Sequence, residues 1–171
     1  ALRAQVETAL RSNPVVQAAA WPKRISKLLL SRMEAGDGYG LHVDNPLMGS
    51  GDQRLRTDLS FTLFLSDPQD YQGGELVVDL MGETRAIKGQ AGDVVLYAST
   101  SLHQVAPVTS GTRLVCVGWI ESLVRDAAQR DILFDLENLR AELAKSLPPE
   151  APELMVLSKS IANLLRQWAS P

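Results

Sequence analysis

Cysteine is almost missing from this chain: Cys116 is the single one among 171 residues. It cannot close an internal disulfide, so the fold must be held by its core, and a reducing, cytoplasmic compartment is expected. No apolar run approaches the roughly 18 residues of a membrane span, and no secretory leader opens the chain, so a membrane partner is not expected. Positive charge is not in excess either. With a net charge of −3 the chain lacks the electrostatic footprint of a nucleic-acid binder. Aromatic residues make up 5%, and there are only two histidines. What is present, 45% hydrophobic and 22% charged residues, suits a globular domain with a sizeable core and excludes wholesale disorder.

Residues 1–20 predict helix, with Leu2, Val6, Ala9 and Leu10 at helical spacing, an interruption at Asn13-Pro14 and an end at Trp21-Pro22. The period then changes to two. Strands are predicted at Ile25–Met33, Tyr39–Asp44, Leu55–Leu65 as the longest, Glu75–Val78, Thr84–Ile87, Val94–Tyr97, His103–Val108 and Thr112–Ile120. Eight short strands with frequent turns suggest a sandwich or a barrel-like jelly roll. Two helical patterns close the chain. Arg125–Lys145 carries Ile132, Leu133, Leu136, Leu139 and Leu143 on one stripe, and Glu153–Trp168 follows the helix-breaking Pro148-Pro149. The expected organisation is an N-terminal helical segment at 1–24, a β core at 25–122 and a helical region at 123–171. The helices are read as cover for one sheet, with a homodimer interface as the lesser expectation.

Both histidines fall into one pattern. His42 and Asp44 stand at i and i+2 of a predicted strand, so their side chains share a face and can close on one metal. His103, arriving from another strand, would complete a two-histidine, one-carboxylate facial triad, a ligand set that leaves open positions and suits non-haem ferrous iron. A lone histidine on an apolar face is more often a core residue, but Asp44 would be a costly buried charge without a cation beside it. Zinc in a hydrolytic site is the competing metal, and it asks for a general base such as glutamate near the triad. Arg113 lies on an apolar strand, with Val115, Val117 and Trp119 on its side. A guanidinium there must be paired, either with an internal carboxylate or with a bound one, which its planar fork grips in bidentate fashion. Arg113 is expected on the strand neighbouring His103, and Thr62, Phe64 and Trp119 are secondary candidates for the pocket wall.

The runs Gly40–Asn45 (GLHVDN), Leu55–Pro68 (LRTDLSFTLFLSDP) and Tyr71–Leu76 (YQGGEL) resemble the PKHD-type hydroxylases, bacterial relatives of the prolyl 4-hydroxylase branch of iron- and 2-oxoglutarate-dependent dioxygenases. Ala91–Tyr97, Ser101–Val108, Gly111–Arg113, Trp119–Asp126 and Asn163–Trp168 continue the resemblance over nearly the whole chain. It implies a mainly β double-stranded β-helix with flanking helices and a C-terminal helical hairpin. It also implies His42, Asp44 and His103 as Fe(2+) ligands, Arg113 as the 2-oxoglutarate anchor and L-ascorbate as accompanying reductant. The implied reaction uses O2 to hydroxylate a substrate that the residues do not identify, peptidyl proline and small molecules being the two classes considered. Asp44 favours hydroxylation, since related halogenating enzymes lack that carboxylate. The chain departs from the resemblance in one respect: members of the family usually carry roughly 50 further residues before the point where this chain begins. The competing expectations are a cupin-like jelly roll that binds a metal or ligand without oxidising anything, a zinc hydrolase and, weakest, an assembly protein. The loops at 45–54 and 66–74 are candidate lids, with Gly73-Gly74 read as turn chemistry.

Overall fold

A computed structural model describes residues 2–80 and 82–171; Ala1, the expected first residue of the opening helix, and the side chain of Leu2 lie outside that description. The chain forms, in order, α1 (Leu2–Ser12), α2 (Pro14–Ala20), β1 (Pro22–Ile25), β2 (Leu29–Met33), β3 (Tyr39–His42), β4 (Leu47–Met48), β5 (Leu55–Arg56) and β6 (Leu59–Phe64). There follow β7 (Tyr71–Gly73), β8 (Leu76–Leu80), β9 (Glu83–Ile87), β10 (Val94–Ala98), β11 (His103–Val105), β12 (Val108–Gly111), β13 (Arg113–Ser122), α3 (Ala127–Leu143) and α4 (Pro152–Trp168). They divide into two compact units, residues 24–121 and residues 1–23 with 122–171.

The first unit is built on two principal sheets. One has the order β1-β13-β6-β10, with β2 also pairing β13; the other has the order β3-β11-β8-β9. Its buried residues include Phe61, Phe64, Leu76, Val78, Val108, Val115, Cys116 and Ile120. The longest strand is β13, not the expected Leu55–Leu65. That run breaks because Thr57 turns away from the ladder, its N–H donating to the Pro46 carbonyl at 3.1 Å and its hydroxyl to the Asn45 carbonyl at 2.6 Å. The expected His103–Val108 strand breaks too. Pro107 offers no N–H to a ladder, and the chain leaves β11, which pairs β8, for β12, which pairs β7. The expected Ile25–Met33 strand divides where Ser26 ties itself to Trp119, donating its N–H to the Trp119 carbonyl and accepting the Trp119 N–H on its hydroxyl.

The second unit is helical. Asn13 separates α1 from α2 and caps the latter, its side-chain oxygen accepting from Val15 and Val16 N–H with Pro14 in the first turn. Asp126 caps α3 by accepting from Gln129 N–H. The helices α3 and α4 form the expected hairpin around Leu133 and Ile161, with Leu136, Leu157, Leu164, Leu165 and Trp168 packed against them. The expected stripe on α3 is narrower than its leucines suggest, because Ile132 and Leu139 are about half exposed. No described helix is long and apolar enough to cross a membrane.

Candidate active site

The core of the site is made by register. β3 is an edge strand beside β11, and His103 lies directly opposite His42 in that antiparallel pair. The two imidazoles therefore meet, with ring centroids 4.2 Å apart. Asp44 stands two residues past His42, just beyond the strand end, and its carboxylate returns to the same place. One ligand atom from each of His42, Asp44 and His103 lies within 4.8 Å of the others. Asp44 Oδ1 is 3.7 Å from His42 Nε2, and Asp44 Oδ2 is 3.7 Å from His103 Nε2.

Those separations are too long for hydrogen bonds. They are what donors show when each can reach a common ion at about 2.1 Å. The outer ring nitrogens are used for orientation. His42 Nδ1 faces the Gly40 carbonyl at 2.8 Å and His103 Nδ1 faces the Ser101 carbonyl at 3.0 Å, an arrangement that puts the proton on Nδ1 and turns the Nε2 lone pairs inward. Asp44 Oδ2 accepts from the Ser60 hydroxyl, whose oxygen lies 2.7 Å from the Ser99 hydroxyl. Two imidazoles, one carboxylate and no thiolate suit ferrous iron. Tyr39 and Tyr97 pack edge-on against His42 and His103 at 4.4 and 4.9 Å. Burial, then the Asp44 charge, pushes the Tyr97 phenol far above its usual range despite the opposing Thr62 hydroxyl, so it stays protonated.

These side chains open into a cavity of about 580 Å³, an ordinary size for a small-molecule site, lined by residues of both principal sheets. Arg113 lines it from the start of β13, opposite Met33. It belongs to the other sheet from His103, not to the neighbouring strand as its spacing in sequence suggests. The reason is the crossing at Pro107, which sends the chain away from β11 before β13 begins. Arg113 is 1% exposed. Its Nε donates to the Gly74 carbonyl at 2.8 Å, and one terminal nitrogen approaches the Met33 sulfur at 3.9 Å. Among the described residues no carboxylate comes within salt-bridge distance of it. Burial lowers its pKa from the ordinary arginine value, with Tyr71 acting in the opposite sense.

Thr62 and Trp119 line the cavity, while Phe64 does not: it is fully buried, its ring 5.8 Å from the Arg113 guanidinium carbon. Sequence reasoning missed Tyr71, Ser60, Ser99, Tyr39 and Tyr97. The Ser60 position carried a faint signal, since it alternates with the apolar face of its strand; the others carried none.

Residues 28–121 match the family model described as the 2OG-Fe(II) oxygenase superfamily, and residues 127–170 match the PKHD-type hydroxylase C-terminal domain. A PKHD-type hydroxylase of Hyphomonas neptunium is 55% identical over 161 residues, covering 94% of this chain and 72% of that protein. Another, of Synechococcus elongatus, is 51% identical over 164 residues, covering 96% and 73%. Among solved structures, HygX from Streptomyces hygroscopicus, with nickel and 2-oxoglutarate bound, has a TM-score of 0.50 at 17% identity, covering 71% of this chain and 67% of that one. At that identity the likeness speaks to fold, the jelly roll of the oxygenases.

Proposed function

Because the chain belongs to the PKHD-type hydroxylases of the 2OG-Fe(II) oxygenase superfamily, we propose that His42, Asp44 and His103 hold its ferrous iron and that Arg113 receives the far carboxylate of 2-oxoglutarate. The protein is a 2-oxoglutarate-dependent hydroxylase. Substrate C–H, 2-oxoglutarate and O2 become hydroxylated substrate, succinate and CO2. When bound, the iron supplies the activation of dioxygen that these side chains cannot provide themselves.

The observation that carries the assignment is Arg113. A guanidinium buried without a carboxylate bears a desolvation penalty that an incoming anion removes, and it stands in the same cavity as the triad. On this reading a dicarboxylate would lie in the cavity that Arg113 shares with the three ligand side chains. Ser60 orients the Asp44 carboxylate by donating to Oδ2. The two backbone carbonyls at Gly40 and Ser101 fix the imidazole tautomers before any ligand arrives. Tyr97, held protonated, keeps a hydroxyl donor beside the carboxylate side of the site.

Catalysis is assigned to the core at residues 25–122, with L-ascorbate as accompanying reductant and a reducing cytoplasm as the compartment. The test is succinate formation from 2-oxoglutarate with added ferrous iron. Asp44→Ala removes the only carboxylate of the cluster and should abolish turnover, as should a chelator in the parent. Parent-like succinate release by the variant would overturn the ligand assignment.

A further inference from the structure

We propose that Ser99, one hydroxyl removed from the ligand Asp44, is a positioning residue for the iron. With Ser60 it forms a one-way chain of donors that ends on Asp44 and holds that carboxylate to a single free oxygen. The inference deepens the reading above and rests on its ligand assignment. Ser60 and Ser99 are 2% and 3% exposed, so neither has water to turn to. Each hydroxyl carries one hydrogen, and an ionised carboxylate only accepts. The hydrogen of Ser60 is therefore committed to Asp44 Oδ2. The 2.7 Å contact between the two serine oxygens must then take its hydrogen from Ser99. That fixes the direction: Ser99 donates to Ser60, and Ser60 to Asp44. Hydrogen bonds aligned in this way polarise one another, so the outer bond strengthens the inner one.

The consequence falls on the two oxygens of Asp44. Oδ2 takes the Ser60 hydrogen, and Oδ1, 3.7 Å from His42 Nε2, is left to the cation. A carboxylate free to swing can close on an ion with both oxygens and occupy two positions. One tethered through Oδ2 occupies one. The triad then uses a single position per residue and keeps the opposite face of the metal open.

The backbone delivers Ser99 to this task. The ladder of β10 against β6 ends at Ala98 opposite Leu59, and Ser99 turns in beside Ser60. Its N–H donates to the Asp58 carbonyl at 3.2 Å, and the Ser101 N–H closes the turn on the Ala98 carbonyl at 3.0 Å. This turn carries the chain from one principal sheet to the other. It also carries the Ser101 carbonyl that faces His103 Nδ1 at 3.0 Å. The segment 98–101 therefore orients two of the three ligands, His103 directly and Asp44 through Ser60.

The experiment is a double-mutant cycle read by metal binding, without co-substrate or oxygen. Mn(II) affinity is measured by competition with a chelator for the parent, Ser99→Ala, Ser60→Ala and the double variant. Ser99→Ala should weaken Mn(II) about three- to tenfold and Ser60→Ala more. The double variant should match Ser60→Ala, since Ser99 acts only through Ser60. Loaded with Co(II), both single variants should show visible absorption bands shifted from the parent's, because Asp44 has been released; a role in stability alone would leave the bands in place. Parent-like affinity in Ser99→Ala, losses that add in the double variant, or unshifted bands would overturn the chain. If the parent itself binds no Mn(II), it is the ligand assignment that falls. Should Ser99→Ala fail to fold, Ser99→Cys, similar in shape and a poor donor, carries the same expectations.

Discussion

Two arginines of the β unit, Arg56 and Arg113, have their pKa values moved in opposite directions by their surroundings. Arg56 forms a two-point contact with Asp58, Nε to Oδ1 at 2.7 Å and a terminal nitrogen to Oδ2 at 2.8 Å, and that carboxylate raises its pKa. Arg24 also has its own carboxylate, Glu121, whose Oε2 accepts from both Nε, at 2.9 Å, and a terminal nitrogen. Arg113 is deeper than either, has no carboxylate within salt-bridge distance among the described residues, and is shifted down by burial. An arginine with its own carboxylate is a strut between segments. One denied a carboxylate in the interior is, on the proposed reading, the receptor for an anion.

The difference can be broken by replacing each arginine with an apolar side chain of similar length. Arg113→Met should raise the dissociation constant for 2-oxoglutarate by about 100-fold, the loss expected when one partner of a buried charged pair is deleted. The same variant should melt higher than the parent in the absence of co-substrate, because an uncompensated buried charge is gone. A fall in that melting temperature would place Arg113 among the struts. At the triad, Ser60→Ala takes away the hydroxyl that holds Asp44 and should weaken iron binding 10- to 100-fold on the general scale of such supporting contacts, measured by competition with a chelator. An unchanged affinity would show that Asp44 needs no help from it. The smallest effect belongs to Arg56→Met: about 1 kcal/mol of stability lost by thermal or denaturant unfolding, with 2-oxoglutarate affinity intact. Should Arg56→Met weaken co-substrate binding instead, the division between strut and receptor would dissolve.

How the site could be read without coordinates depends on the kind of residue. His42, Asp44 and His103 were legible because histidine is so scarce here and because a strand's two-residue repeat fixes a shared face. Arg113 was legible as a charge in an apolar strand, yet its place was not. Spacing from His103 implied the next strand, and Pro107 carries the chain to the other sheet. The β elements were legible as a class and wrong at their edges wherever a side chain or a proline competes with the ladder, as at Thr57, Ser26 and Pro107. Ser99 was illegible for a different reason. Which partner a hydroxyl finds is a property of space, and nothing in an Ala-Ser-Thr-Ser run reports that its oxygen meets that of Ser60. The exposure of Ile132 and Leu139 belongs with this, since helical spacing states which residues share a face and not how much of that face is covered.

One carbonyl oxygen, that of Gly74, has an effect out of proportion to its size. It aims Arg113 by accepting from Nε but contributes no formal negative charge, so orientation is achieved without neutralisation. A carboxylate in its place would have gripped the arginine more firmly and cancelled its charge; the peptide group steers the cation and leaves that charge in place.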